Sequence, residues 1–492
     1  MAVGIDFGTT NCAVVYNRNQ LLDESDERPL PSLVAIDPLT GNTLVGHEAR
    51  KKRHDLARGS WHVVSSVKLA LSHDRAIAER QGSKLNSTDI SAILFTSLHD
   101  RAERLFGAGK AAEAVVSIPV GLRAGARRRL RAAAERAAVK VLEFVSEPTA
   151  AFLACRDQLP DSERVLVFDW GGGTLDVSVL QIEDGAVHEL ATASLLQAGD
   201  AIDELIAGHI HNAVTGEDLD RARIPAKQYD RLLVEAEAVK CRLSDAEEAP
   251  IFLLAYQGRD HTFKLDRTTL EVITRRIVEQ CVTVVRDAIT AARKVGGDAK
   301  LDHVVLVGGS SRLWGIGAKL RQAFADVDVF VPRRPQWAVA QGASMLAEEL
   351  CGAHTEPLYR LNHPVYLQLS DGSLLPLVRA GDRFDDTYRR YLLGVVEDTD
   401  HAQLIFAVPG GHGQGIVGSV PETRPVDFLS VPLQGLRFEQ LRLEAKLTRE
   451  LTLAVRAQTE KADPYRSDQW TAWEFEQLLF SYGLSDARRR VK

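Results

Sequence analysis

Two stretches of this chain end an apolar segment with an aspartate and a run of glycine and threonine. The first is Val3-Gly4-Ile5-Asp6-Phe7-Gly8-Thr9-Thr10-Asn11. The second is Val165-Leu166-Val167-Phe168-Asp169-Trp170-Gly171-Gly172-Gly173-Thr174-Leu175-Asp176. Glycine lets backbone N–H groups close on an anion and reach positive φ. Threonine hydroxyls add donors, and an aspartate closing each strand suits a hydrated Mg2+ that neutralises phosphate charge. No Gly-Lys-Ser/Thr follows either loop, and a strand rather than a helix comes next, which excludes the Walker and Rossmann patterns. One Asp-x-Gly-Thr alone reads as a surface turn. Two matching loops after buried strands read as facing hairpins that clamp a triphosphate, and the internal echo predicts duplicated lobes. A third glycine turn, Val307-Gly308-Gly309-Ser310-Ser311-Arg312, links a strand to a helix. It would pack against a nucleoside with the Arg312 guanidinium stacked on the base, although in isolation it is an ordinary strand-to-helix turn.

These loops need rigid elements on either side. Up to about residue 350, short apolar runs at 3–5, 14–16, 115–118, 165–168, 177–180 and 304–307 alternate with amphipathic stretches, an α/β pattern with strands buried on both faces. Helices are expected at 122–137, 229–243, 270–293, after Arg312, and at 338–350. Gly352, His354, Thr355 and Pro357 then break the pattern. From Val365 to Gln458 the spacing is strand-like. Leu441, Leu443, Ala445 and Leu447, then Leu451, Leu453, Val455 and Ala457, alternate with polar residues as in a half-buried hairpin. The glycines from Gly410 to Gly418 predict a mobile loop, and Trp470 to Phe480 a closing amphipathic helix. The expected fold is therefore a two-lobed α/β domain over 1–352, a small β-sandwich-like domain over 363–460, and a short helix with a basic tail over 465–492.

A net charge of -7 gives no reason to expect nucleic acid or an anionic membrane as a partner. No apolar run approaches a membrane span of ~18 residues. The N-terminus reads as a strand rather than a secretory signal. Cys12, Cys155, Cys241, Cys281 and Cys351 are widely spaced with no CxxC pair, which excludes a zinc ribbon and a disulfide framework and fits the cytoplasm. Six arginines crowd residues 123–136, and a solvated helix face is the expected role.

The first 350 residues resemble the ATPase domain of DnaK-type heat-shock chaperones, the seventy-kilodalton class, within the actin and sugar-kinase superfamily. Five motifs carry the resemblance in order. Ile5 to Asn11 is similar to the first phosphate loop, and Asp169 to Asp176 to the second. Val116-Ser117-Ile118-Pro119-Val120 resembles the first connecting motif, and Ser146-Glu147-Pro148-Thr149-Ala150-Ala151 its second half. Leu306 to Arg312 resembles the adenosine motif. The resemblance implies ATP and ADP with Mg2+ as cofactors and leaves room for K+. It implies Asp6 and Asp169 as metal-holding groups, and Lys68, Glu147, Thr174 and Asp176 as catalytic. Gly8, Thr9, Thr10, Asn11, Gly171, Gly172 and Gly173 would contact phosphates. Glu237, Lys240 and Ser244 would meet adenosine on one side, and Gly308, Gly309, Ser310 and Arg312 on the other. A solvated surface lysine is the rival reading of Lys68.

There are departures from the family pattern. Cys241 stands in place of an arginine against the adenine, Gln336-Trp337 replace an acidic pair, and Ala198-Gly199-Asp200 replace Gly-Gly-Glu. The linker stretch Pro357-Leu358-Tyr359-Arg360-Leu361-Asn362 carries an arginine and an asparagine. The stretch after Gln458 is too short for a long helical lid, so a peptide groove would release its ligand fast. Two functions stay open. One is an ATP-hydrolysing chaperone that binds unfolded or extended peptide segments, served by co-chaperones or a nucleotide exchange factor. The other is a nucleotide-sensing adaptor whose β domain binds one dedicated folded partner.

Overall fold

The computed structural model describes residues 2–21, 28–50, 61–73, 75–159, 162–183, 185–298, 300–352, 359–396, 399–409, 423–433, 439–476 and 480–483. The chain forms two compact units, residues 1–182 with 190–354, and residues 183–189 with 355–492. No described helix is long and apolar enough to cross a membrane.

The first unit is built from two sheets of the same plan. In lobe one, β1 (Val3–Phe7) and β2 (Asn11–Tyr16) form an antiparallel hairpin, and β1 runs parallel to β3 (Glu113–Ile118), itself parallel to β4 (Lys140–Ser146). In lobe two, β5 (Arg164–Trp170) and β6 (Leu175–Glu183) form the hairpin, and β5 runs parallel to β8 (His303–Val307), itself parallel to β9 (Asp328–Phe330). A fifth strand flanks each hairpin, Gln20–Leu21 in lobe one and β7 (Ala186–Leu195) in lobe two. The echo in the sequence is thus a repeated strand order. Each glycine loop is the turn of a hairpin whose first strand is an inner strand of its sheet.

Helices cover the sheets: α1 (Val67–Ala70), α2 (Ser87–Phe106), α3 (Ala124–Arg136), α4 (Glu147–Cys155), α5 (Gly199–Thr215), α6 (Ala226–Asp245), α7 (Arg267–Gly296), α8 (Ile316–Ala323) and α9 (Ala338–Gly352). Helix α2 starts on a reciprocal cap: the Asn86 side chain accepts from Asp89 N, and the Asp89 side chain from Asn86 N. The arginine-rich α3 departs from the expected solvated face. Arg127 is buried, Arg129 Nε donates to Leu71 O at 2.7 Å, Arg131 Nη1 donates to Val141 O at 2.9 Å, and Arg136 pairs with Asp89 at 2.7 Å. These guanidiniums satisfy carbonyls and carboxylates of neighbouring elements, so they bind the helix into lobe one. A hairpin absent from the sequence reading, Glu248–Tyr256 with Arg259–Asp266, lies between α6 and α7 in the chain.

The second unit contains two four-stranded antiparallel sheets. Its strands are β10 (Tyr359–Leu361), β11 (Val365–Gln368), β12 (Leu374–Val378), β13 (Arg389–Gly394), β14 (His401–Pro409), β15 (Thr423–Pro432), β16 (Gln440–Leu447), β17 (Leu453–Thr459), β18 (Thr471–Phe475) and β19 (Phe480–Gly483). One sheet has the order β12-β11-β14-β15 and the other β13-β16-β17-β18. Phe406 of the first stacks on Trp473 of the second, with ring centroids 4.1 Å apart, and Trp473 Nε1 donates to Asp427. The expected helix at 470–480 is incorrect: residues 471–475 and 480–483 are strands. Trp473 and Phe475 stack along one face at a spacing of two, while Trp470, three residues away, lies against the Arg456 guanidinium instead. The Gly410–Gly418 loop, the basic tail 488–492, and residues 357–358 of the linker stretch lie outside the described residues.

One contact in the first unit tolerates no side chain. A Cβ on Gly342 of α9 would stand 1.8 Å from the Ala150 carbonyl oxygen of α4, the helix that carries Glu147. Gly342→Ala is therefore expected to lower stability by ~3 kcal/mol or more, because a backbone atom cannot swing aside. A urea midpoint equal to that of the wild type would refute the close approach.

Candidate functional site

The two hairpin turns face each other. A Cβ on Gly172 would lie 2.5 Å from Thr10 Oγ1, and one on Gly173 3.6 Å from Thr9 Cγ2. Residues 9–10 and 171–173, more than 150 positions apart in sequence, thus form one locus. The first turn is fixed by Ser32, whose N–H donates to Thr10 O at 2.8 Å and whose hydroxyl donates to Gly8 O at 2.7 Å. The second is fixed by α5, whose Gly199 and Asp200 N–H groups donate to Gly171 O and Gly172 O at 3.2 and 2.8 Å.

Beneath the turns lies a charged cluster. Asp6 at the end of β1 accepts from Ser117 Oγ of β3 at 2.9 Å. Glu147, in the first turn of α4, is ion-paired with Lys68 Nζ. Lys68 is only 5% exposed, which removes the reading as a solvated surface lysine. Its one-turn helix is entered through Ser66 at φ 55°, a left-handed conformation that costs a non-glycine residue energy and is typically retained at functional sites. Asp176 is held on both oxygens: Thr174 Oγ1 donates to Oδ2 at 2.9 Å and Ser194 Oγ to Oδ1 at 2.6 Å.

Four carboxylates against one lysine leave an excess of negative charge. Burial raises the pKa of Asp6, opposed by Lys68 and Ser117. Burial, reinforced by Glu147, Asp6 and Asp176, pushes Asp169 well above the usual carboxylate range. Glu147 is pushed up to about 7 by burial first, with Lys68 pulling it down and Asp6 pushing it up. Such a donor set fits a divalent cation. Among the described residues no three His, Cys, Asp or Glu side chains converge tightly enough to cage a metal.

The residues expected around adenosine lie on α6 and on the turn after β8. Ser310 Oγ donates to Gly171 O at 2.7 Å, tying that turn to the second phosphate loop. Gly308 has φ 81°, and a Cβ there would meet Trp170 O at 2.5 Å and Asp169 Oδ1 at 2.6 Å. Its glycine is required by packing on the loop, whereas a Cβ on Gly309 would meet open space. Lys240 pairs with Asp203 at 2.8 Å and donates to Gly199 O at 3.0 Å. Glu237 is ion-paired with Arg50 of lobe one, and Ser244 Oγ is 3.5 Å from Lys240 O. Arg312 is engaged by Asp245 at 2.8 Å and is half-exposed. Cys241 is exposed on the same helix.

Ser32, Arg50, Ser117, Ser194 and Asp203 support this site and escaped the sequence reading. Ser117, a hydroxyl within the apolar run 114–118, and Asp203, an acid between Ile202 and Ile206, carried a visible signal. Arg50, Ser32 and Ser194 carried none.

A carboxyl held above its unfolded value binds its proton more tightly when folded. The stability Glu147 contributes is complete below 4.5 and is lost as pH rises to about 7. In chelator, without nucleotide, wild-type stability should therefore fall between about pH 5 and about pH 7.5. Glu147→Gln, whose amide stays neutral, should show a flatter profile by a few kcal/mol. Equal slopes in thermal unfolding would contradict the burial of an under-neutralised Glu147.

The family model described as Hsp70 protein matches residues 52–362. The chain is similar to a heat shock cognate HSP70 protein of Trypanosoma brucei brucei, 30% identical over 393 residues, covering 72% of this chain and 57% of that protein. It is similar to the chaperone protein DnaK of Thermosipho africanus (strain TCF52B), 31% identical over 362 residues, and of Thermosipho melanesiensis, 30% identical over 365. Each of these two covers 71% of this chain and 59% of the relative. The chain thus spans a little under three-fifths of the length of these relatives. With the family model covering more than half of its residues, and with paired phosphate-type loops on duplicated lobes, the chain belongs to the Hsp70 family.

Proposed function

We propose that this chain is an ATP-driven chaperone. It hydrolyses ATP to ADP and phosphate within residues 1–352 and binds extended segments of unfolded clients within residues 363–460, with nucleotide state setting client affinity. The observation that carries the reading is the meeting of the Thr9-Thr10 and Gly172-Gly173 turns above Lys68 and four carboxylates.

The backbone N–H groups of Gly8, Asn11, Gly172 and Gly173, with the hydroxyls of Thr9 and Thr10, bind the phosphates, while the Gly171 N–H shapes the loop by donating to Thr174 O. Asp6 and Asp169 would hold Mg2+, which would supply charge neutralisation. Lys68, kept charged by Glu147, reaches the γ-phosphate. Thr174, Asp176 and Glu147 orient the attacking water, with Asp176 immobilised by Thr174 and Ser194. The water oxygen bonds to phosphorus as the bond to the β-phosphate oxygen breaks, and positioning with charge stabilisation supplies most of the rate. Glu237, Lys240 and Ser244 on one side, and Gly309, Ser310 and Arg312 on the other, bind adenosine. K+ beside the phosphates, a cytoplasmic location, and co-chaperones or an exchange factor that reset the nucleotide complete the proposal. The free cysteines support the compartment.

Lys68→Ala and Thr174→Ala should each slow hydrolysis by about two to three decades while ADP still binds, the usual cost of one lost transition-state contact. Wild-type turnover by Lys68→Ala would remove that lysine from the mechanism. Fluorescence anisotropy of labelled unfolded peptides should show binding in ADP and release in ATP with Mg2+ and K+. Peptides that bind in neither state would favour the adaptor with one dedicated folded partner.

A further inference from the structure

The adenosine-facing helix α6 is restrained from a direction that no nucleotide role explains. The segment from Gly308 to Gly315 begins at the phosphate loop, where Ser310 Oγ donates to Gly171 O, and ends in a left-handed turn at Gly315 with φ 88°. Between them stands Trp314, 40% exposed. The Arg267 guanidinium lies over its ring at 3.5 Å from the centroid, and its Nε1 donates to Glu271 Oε1 at 2.9 Å. Arg267 and Glu271 are one turn apart on α7, so one helix face grips both the face and the edge of the indole. The same guanidinium donates from Nε to Leu243 O and from Nη2 to Ser244 O, each at 2.9 Å. Those carbonyls belong to the last turn of α6, whose final C=O groups have no partner within the helix and which carries the negative end of the helix dipole.

We propose that Trp314 is a positioning residue for nucleotide binding. Clamped between Arg267 and Glu271, it holds the Arg267 fork across the last carbonyls of α6 and so fixes the helix that carries Glu237, Lys240 and Ser244. Of the further ties to this helix end, Arg312 with Asp245 is an exposed ion pair, a class that contributes little, and Arg242 donates to Pro250 O. The Arg267 fork makes two directed bonds to the last carbonyls under an aromatic face. Without the indole, Arg267 gains rotamers, the α6 terminus loosens, and binding nucleotide must pay to order it. The Arg267 fork and the Trp314 ring touch neither the phosphate turns nor Lys68, so affinity falls while the chemical step does not.

The inference rests on the reading of the first unit as nucleotide-binding, and the full chain tests both. ADP binding with Mg2+ is measured by calorimetry, hydrolysis of prebound ATP by single turnover, and folding by thermal unfolding. Trp314→Leu is expected to weaken ADP by about tenfold and to leave the single-turnover rate within about twofold. Trp314→Phe, which keeps a ring face for Arg267, should recover most of the affinity. Arg267→Lys keeps the charge but not the two-carbonyl fork, and should lose as much as Trp314→Leu. Unchanged ADP affinity in Trp314→Leu, equal losses of affinity and rate, or a Phe variant as weak as the Leu variant overturns the proposal. If Trp314→Leu does not fold, Arg267→Lys decides, and wild-type affinity there overturns it. A wild-type chain that binds no ADP overturns the nucleotide reading itself, whereas a binding wild type with an unaffected Trp314→Leu overturns this inference alone.

Discussion

An excess of negative charge, half-buried around the buried Lys68, is the constraint that the first unit is built to sustain. Carboxylates are costly away from water unless they are paired, and here Asp6, Glu147, Asp169 and Asp176 share the one cation of Lys68. The fold spreads the cost over separate elements. Asp6 and Asp169 sit at the ends of central strands, Asp176 on the return strand of a hairpin, and Glu147 in the first turn of α4, where the helix dipole favours an acid. Lys68 comes from a single helical turn entered through a strained serine.

The glycines divide into two physical classes. A Cβ on Gly8 would lie 2.1 Å from Asn11 O, one on Gly308 2.5 Å from Trp170 O, and one on Gly172 2.5 Å from Thr10 Oγ1. These positions are glycine because the loops pack on themselves and on each other. Gly309 has open space around it, and on the proposed reading that space faces the nucleoside.

What the sequence disclosed followed from how local each signal was. The two loops were legible because strand, aspartate and glycine are contiguous, and the shared strand order of the lobes was legible as their repetition. Lys68 was not, since nothing near Ser66-Val67-Lys68 marks burial; only the resemblance raised it, and the Glu147 partner lies 79 positions away. Arg50, Ser32 and Ser194 are long-range partners with no local pattern. The hairpin at 248–266 was legible in principle, because Ala249, Ile251 and Leu253 alternate with exposed Pro250, Phe252 and Leu254. At 470–475 two periods competed, and three-residue tryptophan spacing concealed a strand whose Trp473 and Phe475 stack at a spacing of two.

The departures from the family pattern differ in physical weight. Trp337, one of the two residues that replace an acidic pair, is fully buried in a cluster with Ala13, Val15 and Ala340. Its bulk fills the core. Cys241 is different, because it is exposed on α6 beside Lys240, and a thiol offers neither the charge nor the flat face of a guanidinium. On the proposed reading, the phosphate side has Asp6, Thr9, Thr10, Lys68, Asp169, Thr174 and Asp176 to work with. On the proposed reading, the base side has a thiol where the family pattern has a stacking cation, and a tryptophan clamp stands at the end of the same helix. A helix that grips a base with one contact fewer gains the most from being held in place beforehand, because the ordering cost it no longer incurs offsets the contact it lacks.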